Sequence, residues 1–425
     1  MKLNILWIMG LAMILQVGLH SQERELAGKG KSGQAEQGVE EGMDSFLLPD
    51  PQGAGRPRLG MRGLLPGYES GNFQIKVGGY FDLEFRDQEN AKKRFRAHRF
   101  VPLFEGQVSE KIRFQAEVEI EDGGELDIEF AHVDWELHER LALRTGIVLL
   151  PLGRLNLLHD SPIREFTDRP LVDTLVIPTT LRDAGVGIHG RLSPFGEDGP
   201  SLNFEGVLHG GFRGQDKDGS YLIDRSKGLR GSRSSGASPA GYKEYEDNND
   251  GFGVTGRLSL RDPGYEVGLS FYRGAWDNTG DLALSMVALD AEFSPAALPS
   301  LGNSLFADWV FRFEGAMSNV ERDAGARAGG VPGKIGGWYA EWGWKVPLGG
   351  EGKGLFEQGS RLTFLLRHGR VDLSGAGFER TTLGLNLRPN QDKTVFKLEY
   401  QWNRERGSAA GVANDALVLS VATYF

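Results

Sequence analysis

From Phe73 to Arg86 the chain alternates without a break. Phe73, Ile75, Val77, Gly79, Phe81, Leu83 and Phe85 share one parity, and Gln74, Lys76, Gly78, Tyr80, Asp82, Glu84 and Arg86 share the other. A period of two marks a strand with two unlike faces, and this one far exceeds the ~5–6 residues of an ordinary strand. The pattern returns at 112–121, 338–346 and 396–402. It returns again in the last nine residues, where Leu417, Leu419, Val421, Thr423 and Phe425 fall on one face. No comparable stretch repeats apolar residues at the three- and four-residue spacing of a helix. Long two-faced strands with an apolar outer side must leave no unpaired edge, and the solution is a closed antiparallel barrel whose outside meets lipid.

The start of the chain agrees with a membrane destination outside the cytoplasm. Lys2, an apolar run from Ile5 to Leu19 and the small or polar pair Ser21-Gln22 read as a secretory signal peptide over 1–21. The run is shorter than the ~20 residues of a spanning helix. Residues 22–70 are rich in Gly, Glu, Gln, Lys and Pro and poor in aromatics, which predicts a poorly ordered periplasmic segment. The barrel is expected over 71–425. There is no Cys, so disulfides, thiolate sites and a lipid-modified Cys are excluded. The 24 Phe, 10 Tyr, 8 Trp and 61 Gly suit barrel strands, and a net charge of −10 with no basic stripe argues against nucleic acid.

Marking every alternating run between turn signals predicts strands at 73–86, 95–108, 111–121, 126–138, 141–149, 184–193, 201–212, 251–261, 264–276, 282–293, 305–317, 335–347, 360–372, 378–388, 393–405 and 415–425. Sixteen is an even count, which closes an antiparallel barrel with both ends on one side. Short turns at 108–111, 138–141 and 261–264 fall at one end. The long connections 150–183 and 213–250 fall at the other, the second of them Gly- and Ser-rich and expected to be mobile.

The stretch Arg94-Phe95-Arg96-Ala97-His98-Arg99-Phe100 through Phe104-Glu105-Gly106, then Leu143-Arg144-Thr145-Gly146 into Pro151-Leu152-Gly153-Arg154 and a Pro-rich loop, resembles the phosphate-selective porin O and P family. The likeness covers about 73–212. It implies a sixteen-stranded outer-membrane porin, often trimeric, with a basic pore narrowed by an inward-folded third external loop. The terminal Phe425 resembles the signal read by the barrel-assembly machinery of bacterial outer-membrane proteins. This chain departs from the family in its acidity, with Glu117, Glu119 and Glu121 on an expected lumen face, which sets phosphate selectivity against the charge balance.

The connection 150–183 is the third external one. Four prolines forbid a long regular element, while Leu155, Leu157, Leu158, Phe166, Leu171, Leu175 and Ile177 are too apolar for a free loop. Packing against the inner wall would make Arg154, His159, Asp160, Arg164, Glu165, Asp168 and Arg169 the pore constriction; the alternatives are a loop folded over the rim or against a neighbouring subunit. Strand parity puts Arg99, Arg113, Arg144, Arg257, Arg361, Arg367, Arg380 and Lys397 in the lumen, with Glu117, Glu119, Glu205, Glu341 and Glu399. Basic rings favour anions and acidic rings cations, and for any single residue the plainer role is charge pairing along the wall.

Other motifs dissolve. Gly185-Val186-Gly187-Ile188-His189-Gly190 fits G-x-G-x-x-G but runs into an alternating strand, so dinucleotide binding is not expected. The eight His residues show no paired spacing on a helix, and no metal is expected. Three functions remain. The favoured one is a porin passing small hydrophilic, phosphate-like anionic solutes without cofactor or covalent chemistry. The others are a structural or adhesion barrel with an apolar-filled lumen, and an outer-membrane enzyme, for which no G-x-S-x-G elbow or catalytic residue is found.

Overall fold

In a computed structural model, the protein is described over residues 68–70, 73–196, 199–230, 246–298, 308–348, 356–390, 392–409 and 411–425. The expected signal peptide and nearly all of the 22–70 segment lie outside these residues. The exception is β1 (Tyr68–Ser70), a short strand paired antiparallel with the start of the barrel.

The barrel consists of β2 (Phe73–Gln88), β3 (Arg94–Ser109), β4 (Ile112–Glu121), β5 (Glu125–His138), β6 (Leu141–Leu149), β7 (Arg182–Leu192), β8 (Ser201–His209) and β9 (Gly253–Asp262). It continues through β10 (Tyr265–Ala275), β11 (Ala283–Phe293), β12 (Trp309–Val320), β13 (Lys334–Pro347), β14 (Arg361–Asp372), β15 (Ala376–Arg388), β16 (Thr394–Gly407) and β17 (Ala416–Tyr424). Each pairs antiparallel with its sequence neighbours, and β17 closes on β2 from Ala416↔Gln88 to Tyr424↔Tyr80. These are the sixteen strands that the alternation predicts, displaced by at most four residues at an end.

Alternation becomes a wall with a wet side and an oily side. On β17 Leu419 is exposed, as is Phe425 just beyond its end, while Ala416, Val418, Ala422 and Tyr424 are buried. On β2, Val77, Phe81 and Leu83 face out and Tyr80, Asp82 and Glu84 face in. Outward aromatics meet at the strand ends, as in the edge-to-face pair Trp309–Trp342 and the stacked pair Trp344–Phe364. At the seam Phe425 stacks on Phe100 at 5.2 Å, and its amide donates to the Gly79 carbonyl at 3.0 Å. Gly79 has φ +149°, and a Cβ there would lie 2.0 Å from the Val101 carbonyl oxygen, so only glycine lets the seam close at this point.

Two bulges re-aim side chains. Asp82 pairs with Arg99 but Leu83 with Ala97, leaving His98 as the extra residue of β3. Glu117 pairs with Phe130 but Val118 with Ile128, leaving Glu129 as the extra residue of β5. A bulge shifts the inside–outside parity locally, so Glu129 and Phe130 are both buried although they are consecutive.

The inward face departs from the charged and Gly-rich surface expected from the sequence. Tyr272, Trp276, Leu284, Met286, Val320, Ile335 and Val371 point inward near the loop end of the wall, and form an apolar core with the two long connections. Nor is the second long connection free along its described part. Phe212, Ile223 and Leu229 are fully buried, and Leu229 donates its amide to the Leu175 carbonyl at 2.8 Å. Apolar residues scattered through a Gly-rich loop gave no periodic signal, but each removes surface from water once a partner face exists.

Candidate functional site

The connection between β6 and β7 enters the barrel and is tied at its neck. Leu150 donates its amide to the Leu181 carbonyl at 3.0 Å. Asn156, fully buried, donates from Nδ2 to the carbonyls of Leu150 and Leu181 at 2.8 Å each, and its Oδ1 accepts from the Leu181 amide at 2.7 Å. Gly153 (φ +72°) turns the chain so that its amide reaches the Ser270 hydroxyl of β10 at 2.8 Å.

Beyond the neck the loop touches the wall on every side. Arg154 pairs with Glu292 of β11 at 2.9 Å, and the Leu155 amide donates to Glu314 of β12 at 3.1 Å. His159 meets Glu129 of β5, and Tyr424 of β17 donates to Asp160 at 3.3 Å. Ser161 donates to Asp82 of β2, while its carbonyl accepts from Lys397 of β16 at 2.9 Å. Glu165 accepts from Arg388 at 3.3 Å and Asn386 at 2.9 Å, both on β15. The Thr167 hydroxyl donates to Glu399 of β16 at 2.6 Å. Asp168 accepts from Arg86 at 2.5 Å, Arg380 at 3.2 Å and Gln401 at 2.9 Å. Phe166 lies under the Arg367 guanidinium, 4.4 Å from ring centre to carbon, and Arg367 donates to the Asp168 carbonyl at 2.8 Å. The chain therefore crosses from β6 to the opposite wall formed by β14–β17 and β2.

Acidic and basic loop residues differ in how they are held. Burial pushes the Asp168 carboxyl up, but Arg86 and Arg380 outweigh it and keep the group well below the usual carboxylate range. Glu165 is held down in the same way against burial by Arg388 and Arg312. Arg164 instead donates to the Thr167 carbonyl and the Ser161 hydroxyl, and Arg169 to the Thr179 carbonyl and the Thr180 hydroxyl. Among the described residues neither has a carboxylate within ion-pair distance. Burial and the nearby Arg99 lower the affinity of both for their protons, and Arg169 falls to about 10.

The lumen residues read from parity all sit on the inward face. Arg99 pairs with Glu119 at 3.1 Å, and Arg144 with Asp134 at 2.7 Å and Glu205 at 3.5 Å. Arg257 pairs with Asp290 and Glu266, Arg361 with Asp392, and Arg367 with Glu341 at 3.8 Å. Glu117 and Lys397 are buried, and Arg113 is half-buried on β4. Sequence reasoning did not single out Asp82, Arg86, Arg388 or Asn386 as loop partners. Their strand parity was legible, but the loop that meets them was not. Glu129 was hidden by its bulge. His209 links Asp183 (3.0 Å) to the Thr255 hydroxyl (2.9 Å), but all three are buried, with Thr255 at 0% exposure, so this relay faces no solute.

No family model matches the chain. An uncharacterized protein of Aquifex aeolicus (strain VF5) is 26% identical over 257 residues, which is 58% of this chain and 53% of the relative, so the match spans about half of that protein's length. Among solved structures, the outer membrane channel DcaP of Acinetobacter baumannii is similar with a TM-score of 0.53 at 10% identity, over 85% of this chain and 100% of that one. OmpT of Vibrio cholerae in its trimer form gives 0.52 at 9% over 83% and 99%. OmpF of Salmonella typhi in complex with daunomycin gives 0.50 at 10% over 85% and 100%. The chain thus has the closed sixteen-stranded antiparallel barrel of outer-membrane porins. Its outward apolar belt and edge-free wall suit a lipid bilayer, and its place is the bacterial outer membrane.

Proposed function

We infer that the protein is a passive porin for small hydrophilic solutes, with its path narrowed by residues 150–183 and biased toward anions. One observation carries the bias: the loop's Glu165 and Asp168 are each held by arginines from the wall, whereas Arg164 and Arg169 meet only neutral oxygens. With these two acids neutralised, the charges of Arg164 and Arg169 remain where the loop crosses. In a narrow, poorly hydrated passage such charge acts over a lower effective dielectric than in bulk water and selects for anions. Phosphate-like oxyanions suit guanidinium forks best. The reading includes no covalent chemistry and no cofactor. Homotrimer assembly is part of it, by likeness to the trimeric porins.

The test is single-channel conductance of the refolded protein in a planar bilayer under a KCl gradient, with phosphate then added. Anion-selective steps that phosphate blocks, and that lose selectivity when Arg164 and Arg169 are changed to Glu, support the reading. Cation-selective steps, or current indifferent to both substitutions, overturn the bias and the loop's role in it. The apolar core around Trp276 favours a second reading, a non-conducting structural barrel, and silence from a folded barrel would select it.

A further inference from the structure

Glu117 of β4, Glu129 of β5 and His159 of the inward loop converge inside the barrel, with one ligand atom from each lying within 4.8 Å of the others. All three are buried, at 4%, 0% and 1% exposure. The β5 bulge creates the convergence by turning Glu129 onto the side where Glu117 already points. The hydrogen-bond inventory there does not close. His159 Nδ1 lies 3.0 Å from the Asn156 carbonyl, which can only accept, so Nδ1 carries the ring proton. In the Nδ1–H neutral tautomer Nε2 presents a lone pair to Glu129 Oε1, another acceptor, whereas a doubly protonated ring would donate to it. Glu117 Oε1 and Glu129 Oε2 are buried with no donor at all. Nearby, Arg182 donates to Asp127 at 3.0 Å. Lone pairs from three side chains facing one another in a buried place call for a cation between them.

We propose that Glu117, Glu129 and His159 bind a divalent cation of the zinc class, which fastens the inward loop to the β4–β5 wall. Two carboxylates, one imidazole and one divalent ion sum to zero charge, which low-dielectric surroundings require. The Nδ1–H to carbonyl bond is the outer contact that orients a metal-binding imidazole and fixes its tautomer. A ligand set mixing imidazole and carboxylate, without sulfur, suits zinc or a neighbouring first-row ion rather than calcium or magnesium, which take oxygen alone. The competing occupant is protons, one shared by the carboxylates and one on Nε2. The site does not rest on the pore reading, because a barrel that passes no current could still hold the ion.

The experiment uses the folded full-length barrel in detergent, stripped with a chelator, exposed to micromolar zinc chloride and washed, with zinc measured by mass spectrometry. The expected result is one retained zinc per chain, with affinity at least tenfold weaker in Glu129→Gln and in His159→Gln. X-ray absorption of the zinc-loaded wild type should show a single imidazole among oxygen ligands, and this needs no variant to fold. No retained zinc, equal retention in wild type and both variants, or an all-oxygen shell would overturn the site.

Discussion

Asn156→Ala is the substitution that most directly asks whether the loop is fastened as drawn. The side chain makes three bonds to two backbone segments, two from Nδ2 and one to Oδ1, in a place with no exposure to water. A buried hydrogen bond contributes about 1 kcal/mol net, and orphaning a buried backbone group costs about 1–3 kcal/mol. Leu150 O retains its bond from Leu152 N at 2.8 Å, and Leu181 O retains its bond from Leu150 N, so both carbonyls stay partly satisfied. The Leu181 amide loses its acceptor outright. The sum is about 3 kcal/mol of loop-neck stability, roughly a hundredfold in the opening equilibrium at ~1.4 kcal/mol per tenfold. Hydrogen exchange with peptide-level mass spectrometry, on wild type and variant refolded side by side, reads this at Leu181. Exchange there should accelerate by about two orders of magnitude while the β14–β17 wall stays protected. Protection within tenfold of wild type would refute the claim that Asn156 is the clasp.

Asp168→Asn removes the acceptor that joins Arg86 and Arg380, leaving more uncompensated positive charge at the crossing, so the reversal potential should shift further toward anions; a shift toward cations contradicts the charge assignment. Burial raises the Asp173 carboxyl in the loop's helical turn from 3.8 to about 7, with Glu314, Asp290, Arg367 and Arg169 around it. The folded state thus holds this proton more tightly than the unfolded one, so stability is full below about pH 4 and is lost as pH rises through about 7. Urea unfolding of wild type and Asp173→Asn across that window should show the dependence in the first and its loss in the second. Phe425→Ala removes the stack on Phe100 from the closing seam, and should lower the yield of folded, heat-modifiable barrel in the outer membrane with little change in the conductance of molecules that do fold.

The wall is written in the local pattern of the chain. Strand parity is a local property: whether Phe81 or Asp82 faces out follows from a period of two and from lipid on one side, so all sixteen strands, the even count and the inward charges were legible before any contact was known. The place of the third external connection followed from the same count of strands. What fills the wall depends on contacts between residues far apart in the chain. Asp168 meets Arg86, Arg380 and Gln401 across long stretches of chain because the loop folds to one particular depth, and no periodicity encodes depth. The apolar core around Trp276 arises from residues spread over several strands and two loops, each too isolated to signal a partner. Glu129 was the hardest to read, because one extra residue in β5 reverses its side, and the meeting of Glu117, Glu129 and His159 exists only where that bulge and the loop coincide.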